Sequence, residues 1–374
     1  MQFKDIQIHE QLLSMWQKSL QNKRLPHTIL LSGNTGYGSL FLALKLASMI
    51  LCKEDPHCKE QTGKFIHPDL HFIFPSVTSK YGASVSSENY MEHWHEFLRR
   101  NPFGSYRDWL KFIESGDKEG LIRVKDAENL SKKIYRYPIL ARNKVVLIWL
   151  ADKMNTVTAN KLLKVLEEPP QDTHFILTTE NEKLLLPTVL SRCVIYRVPP
   201  VAKEEMLKNI LTFNPEIPRH KAMEWATAAE GNLNKALQYL REEDPNAEFK
   251  KYFVEWVRTA WTALKRPKAI NELTDWTERI TSESKIFQQS FLLFSLEVFR
   301  EAYLINKGIW TNGFTDFSRE NFMLNRFAPY IHDRNIEKLQ KLLSETAYQL
   351  SRNTHPKITF LNLSIKITRL LHQK

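Results

Sequence analysis

The chain has 374 residues, 43% of them apolar and only 11 glycine, and carries a formal charge of +11. That length exceeds one ordinary core and points to two or three domains, and the composition excludes a fibrous or disordered chain. The charge favours a polyanionic neighbour, with a solubilising surface as the plainer reading. Three cysteines, Cys52, Cys58 and Cys193, do not make a disulfide framework and fit a reducing cytoplasm. Met1 to Ile6 lacks an apolar signal segment, and no apolar run is long enough to span a bilayer. A soluble, cytoplasmic protein is expected.

Thr28–Leu31 reads as a short buried strand running into a glycine loop, and apolar residues from Leu40 to Leu51 recur at helical spacing. Leu70–Phe74 is a second strand candidate, ended by Pro75, and residues 76–90 are polar and Ser-rich, as in a loop. An aromatic helical segment covers roughly 91–115 before Gly116 and Gly120 break it. Val145–Trp149 is continuous and apolar, as a strand buried on both faces requires. Asn155–Glu168 reads as a helix stopped by Pro169-Pro170, with further strands at His174–Thr178 and Cys193–Tyr196. Alternating strands and helices predict an α/β domain with a covered parallel sheet. Short helices follow over 201–243, and from about 247 the pattern is helical to the end. Trp256, Trp261, Phe291, Phe294 and Phe299 are expected in the core of that bundle, with base stacking as the rarer alternative.

The glycine loop is Gly33-Asn34-Thr35-Gly36-Tyr37-Gly38, the scaffold of a phosphate-binding loop, but Ser39-Leu40 follows where Lys and then Ser or Thr would be needed. Ser39 supplies no charge to the phosphates, and Leu40 no hydroxyl to magnesium. At the other end of such a site an apolar strand should finish in acids that hold the metal and orient water. Here Trp149 and Leu150 stand in those places, and Asp152 comes three residues too late, where it is expected to cap the following helix. Both the phosphate clamp and the metal ligand are therefore missing, and no intrinsic hydrolysis of ATP is expected.

Ala151-Asp152-Lys153-Met154 leads into Ala159-Asn160-Lys161-Leu162-Leu163-Lys164-Val165-Leu166-Glu167-Glu168-Pro169-Pro170, then Phe175–Thr179, then Leu190-Ser191-Arg192-Cys193. These motifs, in this order and spacing, resemble the bacterial clamp-loader family of AAA+ proteins. The resemblance is dense over about 24–200, weaker over 201–245, and rests on helical pattern beyond. It implies an AAA+ core over 1–200, a helical lid over 201–245 and a helical collar for oligomerisation over 246–374. Asn353–Leu361 resembles the last collar helix, with Pro356 in its first turn.

By the same resemblance, Arg192 matches an arginine finger inserted in trans into a neighbour's ATP site, a role suited to a permanently charged, bidentate guanidinium. An arginine merely paired on the surface is the other reading. Thr178 falls at the sensor position and is read as structural; Asn234, in Gly231–Leu237, stands where active members carry a lid arginine. Cys193 opens an apolar strand and is expected to be an inert thiol. Family members often carry four zinc-binding cysteines; with only Cys52 and Cys58 here, and His57 and His67 nearby, a lost site is expected over a degenerate one. No cofactor is expected of this chain. Gly33, Gly36, Gly38 and Ser39 mark a degenerate loop, ATP being bound by partner subunits. The implied partners are motor and clamp-opening subunits, a sliding clamp and primer–template DNA, with no membrane. An active ATPase with an unorthodox loop, or a DNA-binding adaptor on the same shell, are the competing readings.

Overall fold

The computed structural model describes residues 6–52, 55–78, 85–116, 118–241, 246–264, 266, 268–310, 313, 315–352 and 354–373. The opening residues Met1–Asp5, Asn353 and part of the polar 76–90 stretch lie outside these. The chain divides into two compact units, Met1–Glu243 and Asp244–Lys374.

The first unit begins with α1 (Glu10–Gln21), β1 (Thr28–Ser32), α2 (Ser39–Cys52), α3 (Pro56–Gly63) and β2 (Leu70–Ile73). Then come α4 (Met91–Arg100), α5 (Tyr106–Phe112), α6 (Val124–Ile134), β3 (Lys144–Ile148), α7 (Thr156–Glu167), β4 (Thr173–Thr179), α8 (Pro187–Leu190) and β5 (Val194–Arg197). Helices α9 (Lys203–Phe213), α10 (Arg219–Ala228) and α11 (Leu233–Leu240) complete it. The five strands are all parallel in the order β2-β3-β4-β1-β5. This is the expected α/β architecture. β1 and β3 are buried because every position is apolar or hydrogen-bonded and helices cover both faces. The chain leaves β1 for α2 and β2 on one side, whereas β5 lies on its other side, so the glycine loop sits at a topological switch, where α/β sheets place ligand sites.

The aromatic segment is two helices rather than one, each with its own start: Ser105 accepts from Asp108 N at 3.1 Å and opens α5. Helices α1, α3, α6 and α8 were not foreseen. Asp152 does not cap α7. Its carboxylate accepts from Thr179 Oγ1 at 2.8 Å, and Asn155 is the cap, accepting from Thr158 N at 2.8 Å.

The cysteine expectation is corrected. Cys52 and Cys58 are bonded to each other. α2 ends at Cys52 and α3 starts at Pro56, and the two Cα atoms lie 5.2 Å apart, within the span of a disulfide. The spacing had been weighed only against metal. A bonded pair offers no thiolate to zinc, and the cysteine count no longer argues for a reducing compartment. His67 is buried with Nδ1 accepting from Asp69 N at 3.2 Å, and the backbone N of His57 donates to Asp55 at 2.9 Å in the first turn of α3.

The second unit is all helical: α12 (Ala247–Ala263), α13 (Lys268–Ser282), α14 (Lys285–Asn306), α15 (Leu324–Phe327), α16 (Ile336–Ser351) and α17 (Pro356–Leu371). Its core is aromatic. Trp256 and Trp276 stack at 5.1 Å, and Trp256 Nε1 donates to Ser364 Oγ at 2.8 Å, satisfying its buried N–H. Phe291, Phe294 and Phe299 are buried with them, while Trp261 is partly buried and stacks on His372 at 4.2 Å. Base stacking is thereby excluded for the four buried rings. No helix among the described residues is long and apolar enough to cross a membrane.

Candidate functional site

The glycine loop leaves β1 with Gly33 N donating to Thr179 O at 3.1 Å, and its turn needs positive φ at Gly36 (78°) and Gly38 (97°). Gly36 is also where the lid arrives. Leu233 N donates to Gly36 O at 2.9 Å, and a Cβ at Gly36 would lie 1.8 Å from Asn232 Oδ1. Asn232 caps α11, accepting from Lys235 N at 2.9 Å, so the start of the lid helix is seated directly on the loop. An apolar cluster joins the two: Ile8, Phe41 and Phe103 pack with Met206, Ile210, Leu233 and Leu237.

At the far end of the site, Trp149 is 4% exposed. Its ring lies 5.0 Å from that of Trp94 and 6.1 Å from that of Phe97, both on α4. Leu150 has φ 55°, an uncommon conformation for a bulky residue, and is held there by its N–H donating to Thr178 Oγ1 at 3.0 Å. Thr178 is therefore occupied by the backbone, as a structural residue would be. Asn234 is buried and its amide is fully engaged: its Oδ1 accepts from Asn101 Nδ2 at 2.5 Å and its Nδ2 donates to Asp108 at 2.9 Å. On the rim, Thr35 Oγ1 donates to Glu180 at 2.6 Å.

The cavity bounded by Gly33–Gly36, Ser39, Phe103, Trp149 and Thr178 has a volume of about 30 Å³. That equals about one water's share of liquid, against roughly 300–1,000 Å³ for a small-molecule site. The buried Ser39 Oγ has no hydrogen-bond partner. No cation stands at residue 39 and no acid at 149 or 150, so these residues do not fit a magnesium-bound nucleotide. Sequence reasoning located this gap but missed what closes it. Asn232 and Phe103 carried no signal beyond a helix cap and an ordinary apolar position.

Arg192 lies in the turn between α8 and β5, partly exposed. Its Nε and Nη2 donate to Glu167 Oε2 at 2.9 and 2.6 Å, and Nη1 donates to Thr188 O at 2.9 Å. The helix that carries the Leu-Glu-Glu-Pro-Pro motif thus orients the Ser-Arg-Cys turn. Cys193 is half-buried, its Sγ donating to Val189 O at 3.2 Å, and burial pushes the thiol pKa up to about 12. Alkylation of native protein at neutral pH is expected to be slower than that of an ordinary thiol by about two to three orders of magnitude. Mass spectrometry of iodoacetamide-treated samples reads this, and rapid labelling before unfolding would contradict it.

The family model described as "DNA polymerase III, delta subunit" matches residues 8–202. The chain belongs to that family. It is 30% identical over 196 residues to the DNA polymerase III subunit delta' of Bacillus subtilis (strain 168), covering 50% of this chain and 46% of that protein. It is 29% identical over 187 residues to the subunit of the same name from Pseudomonas aeruginosa, covering 46% and 56%. The tau subunit of Escherichia coli (strain K12) is 26% identical over 239 residues, covering 63% of this chain and 32% of tau. The chain spans about half the length of the curated relatives it matches. Among solved structures, a gamma subunit-related protein from Thermotoga maritima aligns over 95% of this chain and 98% of its own, at 15% identity and a TM-score of 0.35.

Proposed function

We propose that the chain is a non-hydrolysing subunit of the replicative clamp loader of DNA polymerase III, working in the cytoplasm. In this reading it assembles with motor and clamp-opening subunits, lends Arg192 to a neighbour's ATP site, and helps place a sliding clamp on primer–template DNA. Residues 1–200 are its AAA+ core, 201–245 its lid and 246–374 its collar. The observation that carries the reading is the small loop pocket of about 30 Å³, bounded by Trp149, Leu150 and Phe103, with the lid's Asn232 seated against Gly36. A chain of this family that cannot seat its own nucleotide is left with what it can do for a neighbour's.

The pairing of Arg192 with Glu167 is compatible with that role. An exposed ion pair contributes roughly 0–1 kcal/mol, so exchanging Glu167 for a phosphate costs little. The positive charge of the chain gives it a reason to sit beside DNA, through contacts that position without reading sequence.

The test is nucleotide binding by the isolated full chain. Titration with ATP and magnesium is expected to give no saturable binding and no turnover above background. Tight binding with magnesium-dependent hydrolysis would instead make it an active ATPase of the family. Failure to enter a complex with the other subunits, with salt-sensitive DNA binding alone, would make it an adaptor.

A further inference from the structure

The loop that follows α6 is built with unusual care for a surface segment. Asp69, 1% exposed, accepts three of its backbone N–H groups: Ile139 at 2.6 Å, and Leu140 and Ala141 at 2.8 Å each. The ammonium of Lys144, also buried, donates to the carbonyls of Ile134 and Arg136, at the C-terminal end of α6. Burying a carboxylate and an ammonium is unfavourable unless each is well hydrogen-bonded, and here those bonds are directed at holding one loop. Yet the loop presents its large side chains to water. Tyr135 is 62% exposed, Tyr137 94%, Ile139 73% and Leu140 64%. Side chains of this kind, displayed together on a pinned backbone, mark an interaction surface that is ordered before its partner arrives.

The chemistry around the loop identifies that partner. From Asn129 to Ala151 the sequence has five basic residues and no acid; Lys144 is buried and Lys133 is paired with Glu88 at 2.5 Å, which leaves Lys132, Arg136 and Arg142 to face a partner. Arg142 and Asn143, at the loop's end, line a groove of about 980 Å³ beside α1 and α2. Lys23, Lys45 and Lys59 line the same groove, against two acids, Glu10 and Asp172, so the loop runs at Arg142 into a groove that is basic on balance. Two solvent-facing tyrosines beside a basic groove are the combination that binds single-stranded nucleic acid: rings stack on bases while cations follow the phosphates, without sequence preference.

We propose that Tyr135 and Tyr137, with Arg136, Arg142 and the groove lysines, form a binding platform for single-stranded DNA. It lies at the N-terminal ends of β1, β3 and β4, opposite the glycine loop. It rests on the reading that this chain works on DNA, and gives that reading a surface.

The test is fluorescence anisotropy of a labelled oligo(dT) against the full chain, over a range of salt. The double variant Tyr135→Ala/Tyr137→Ala is expected to bind about tenfold more weakly or worse, while the corresponding double phenylalanine variant keeps parental affinity. Arg136→Gln/Arg142→Gln is expected to lower the salt slope by about one to two. All four residues sit on the surface, so unfolding temperatures should stay parental. Parental affinity in the alanine variant, or no oligo(dT) binding by the parent, would overturn the proposal. So would loss of partner-subunit capture in that variant with oligo(dT) affinity intact, which would assign the loop to a protein. A parent that binds oligo(dT) through Tyr137 but never joins clamp-loader subunits would overturn the clamp-loader reading and leave this platform standing.

Discussion

Replacing Arg192 with alanine in a reconstituted complex is expected to lower DNA-stimulated ATP turnover about a thousandfold at the site it enters, with assembly unchanged. A factor of that size is about 4 kcal/mol of transition-state stabilisation. In the proposed role it would come from a guanidinium whose planar fork meets the oxygens of the transferring phosphoryl group. What the variant loses inside its own chain is far smaller. The Arg192 side chain holds Glu167, the carbonyl of Thr188 and, at 3.4 Å, Ser191 Oγ, and the ion pair is exposed. The expected cost to stability is about 1 kcal/mol or less. The two effects therefore separate by measurement: a steady-state ATPase assay falls while the unfolding midpoint hardly moves. Arg192→Lys keeps the charge but not the fork, and should recover only part of the rate. Unchanged turnover in the alanine variant would remove the finger and leave Arg192 as a surface partner of Glu167.

The second large effect is on stability. Trp149→Ala is expected to destabilise the first unit by about 3–5 kcal/mol, the usual cost of emptying a large aromatic site in a core. The indole occupies a junction of the sheet with α4, against Trp94 and Phe97, and these rings in turn surround Trp109, which lies 5.2 Å from Trp94 and 5.3 Å from Phe97. Denaturant unfolding followed by tryptophan-independent circular dichroism reads the change as a lowered midpoint at unchanged slope. Trp149→Asp, which puts an acid back at the end of β3, should be worse still and should not create a metal site. It would bury a carboxylate among aromatic rings with no cation from the glycine loop to meet it. A variant as stable as the parent would show that Trp149 is not part of the packing that closes the pocket.

Much of the first unit was legible because its signals are local. β1 and β3 are unbroken apolar runs, which only a doubly covered strand tolerates, and Pro169-Pro170 stops α7 one residue after Glu168. α6 was equally legible in principle, since Val124, Ala127, Leu130 and Ile134 recur on one face, but its apolar residues are outnumbered by charged ones. α1 was harder, because Trp16 is its one fully buried side chain. Asp152 illustrates a different limit. An acid just ahead of a helix reads as a cap, and only the approach of Thr179 from the neighbouring strand gave its carboxylate another partner.

By itself, the sequence determined what is chemically missing from the glycine loop and from the end of β3, because a charge or a metal ligand is present in a side chain or it is not. It also determined the order of the five strands, through the apolar runs that each strand imposes on its own segment. Only the tertiary structure decided what stands in the place of the missing groups. Asn232 reaches Gly36 across nearly two hundred residues of chain, Trp149 packs on a helix from another segment, and Cys52 meets Cys58 because α3 packs against α2. The same holds for the loop of Tyr135 and Tyr137, which is pinned by an aspartate some seventy residues earlier in the chain. Each of these is a contact between segments that carry no mark of one another in sequence. Their energies depend on distance and burial, which exist only once the chain has folded.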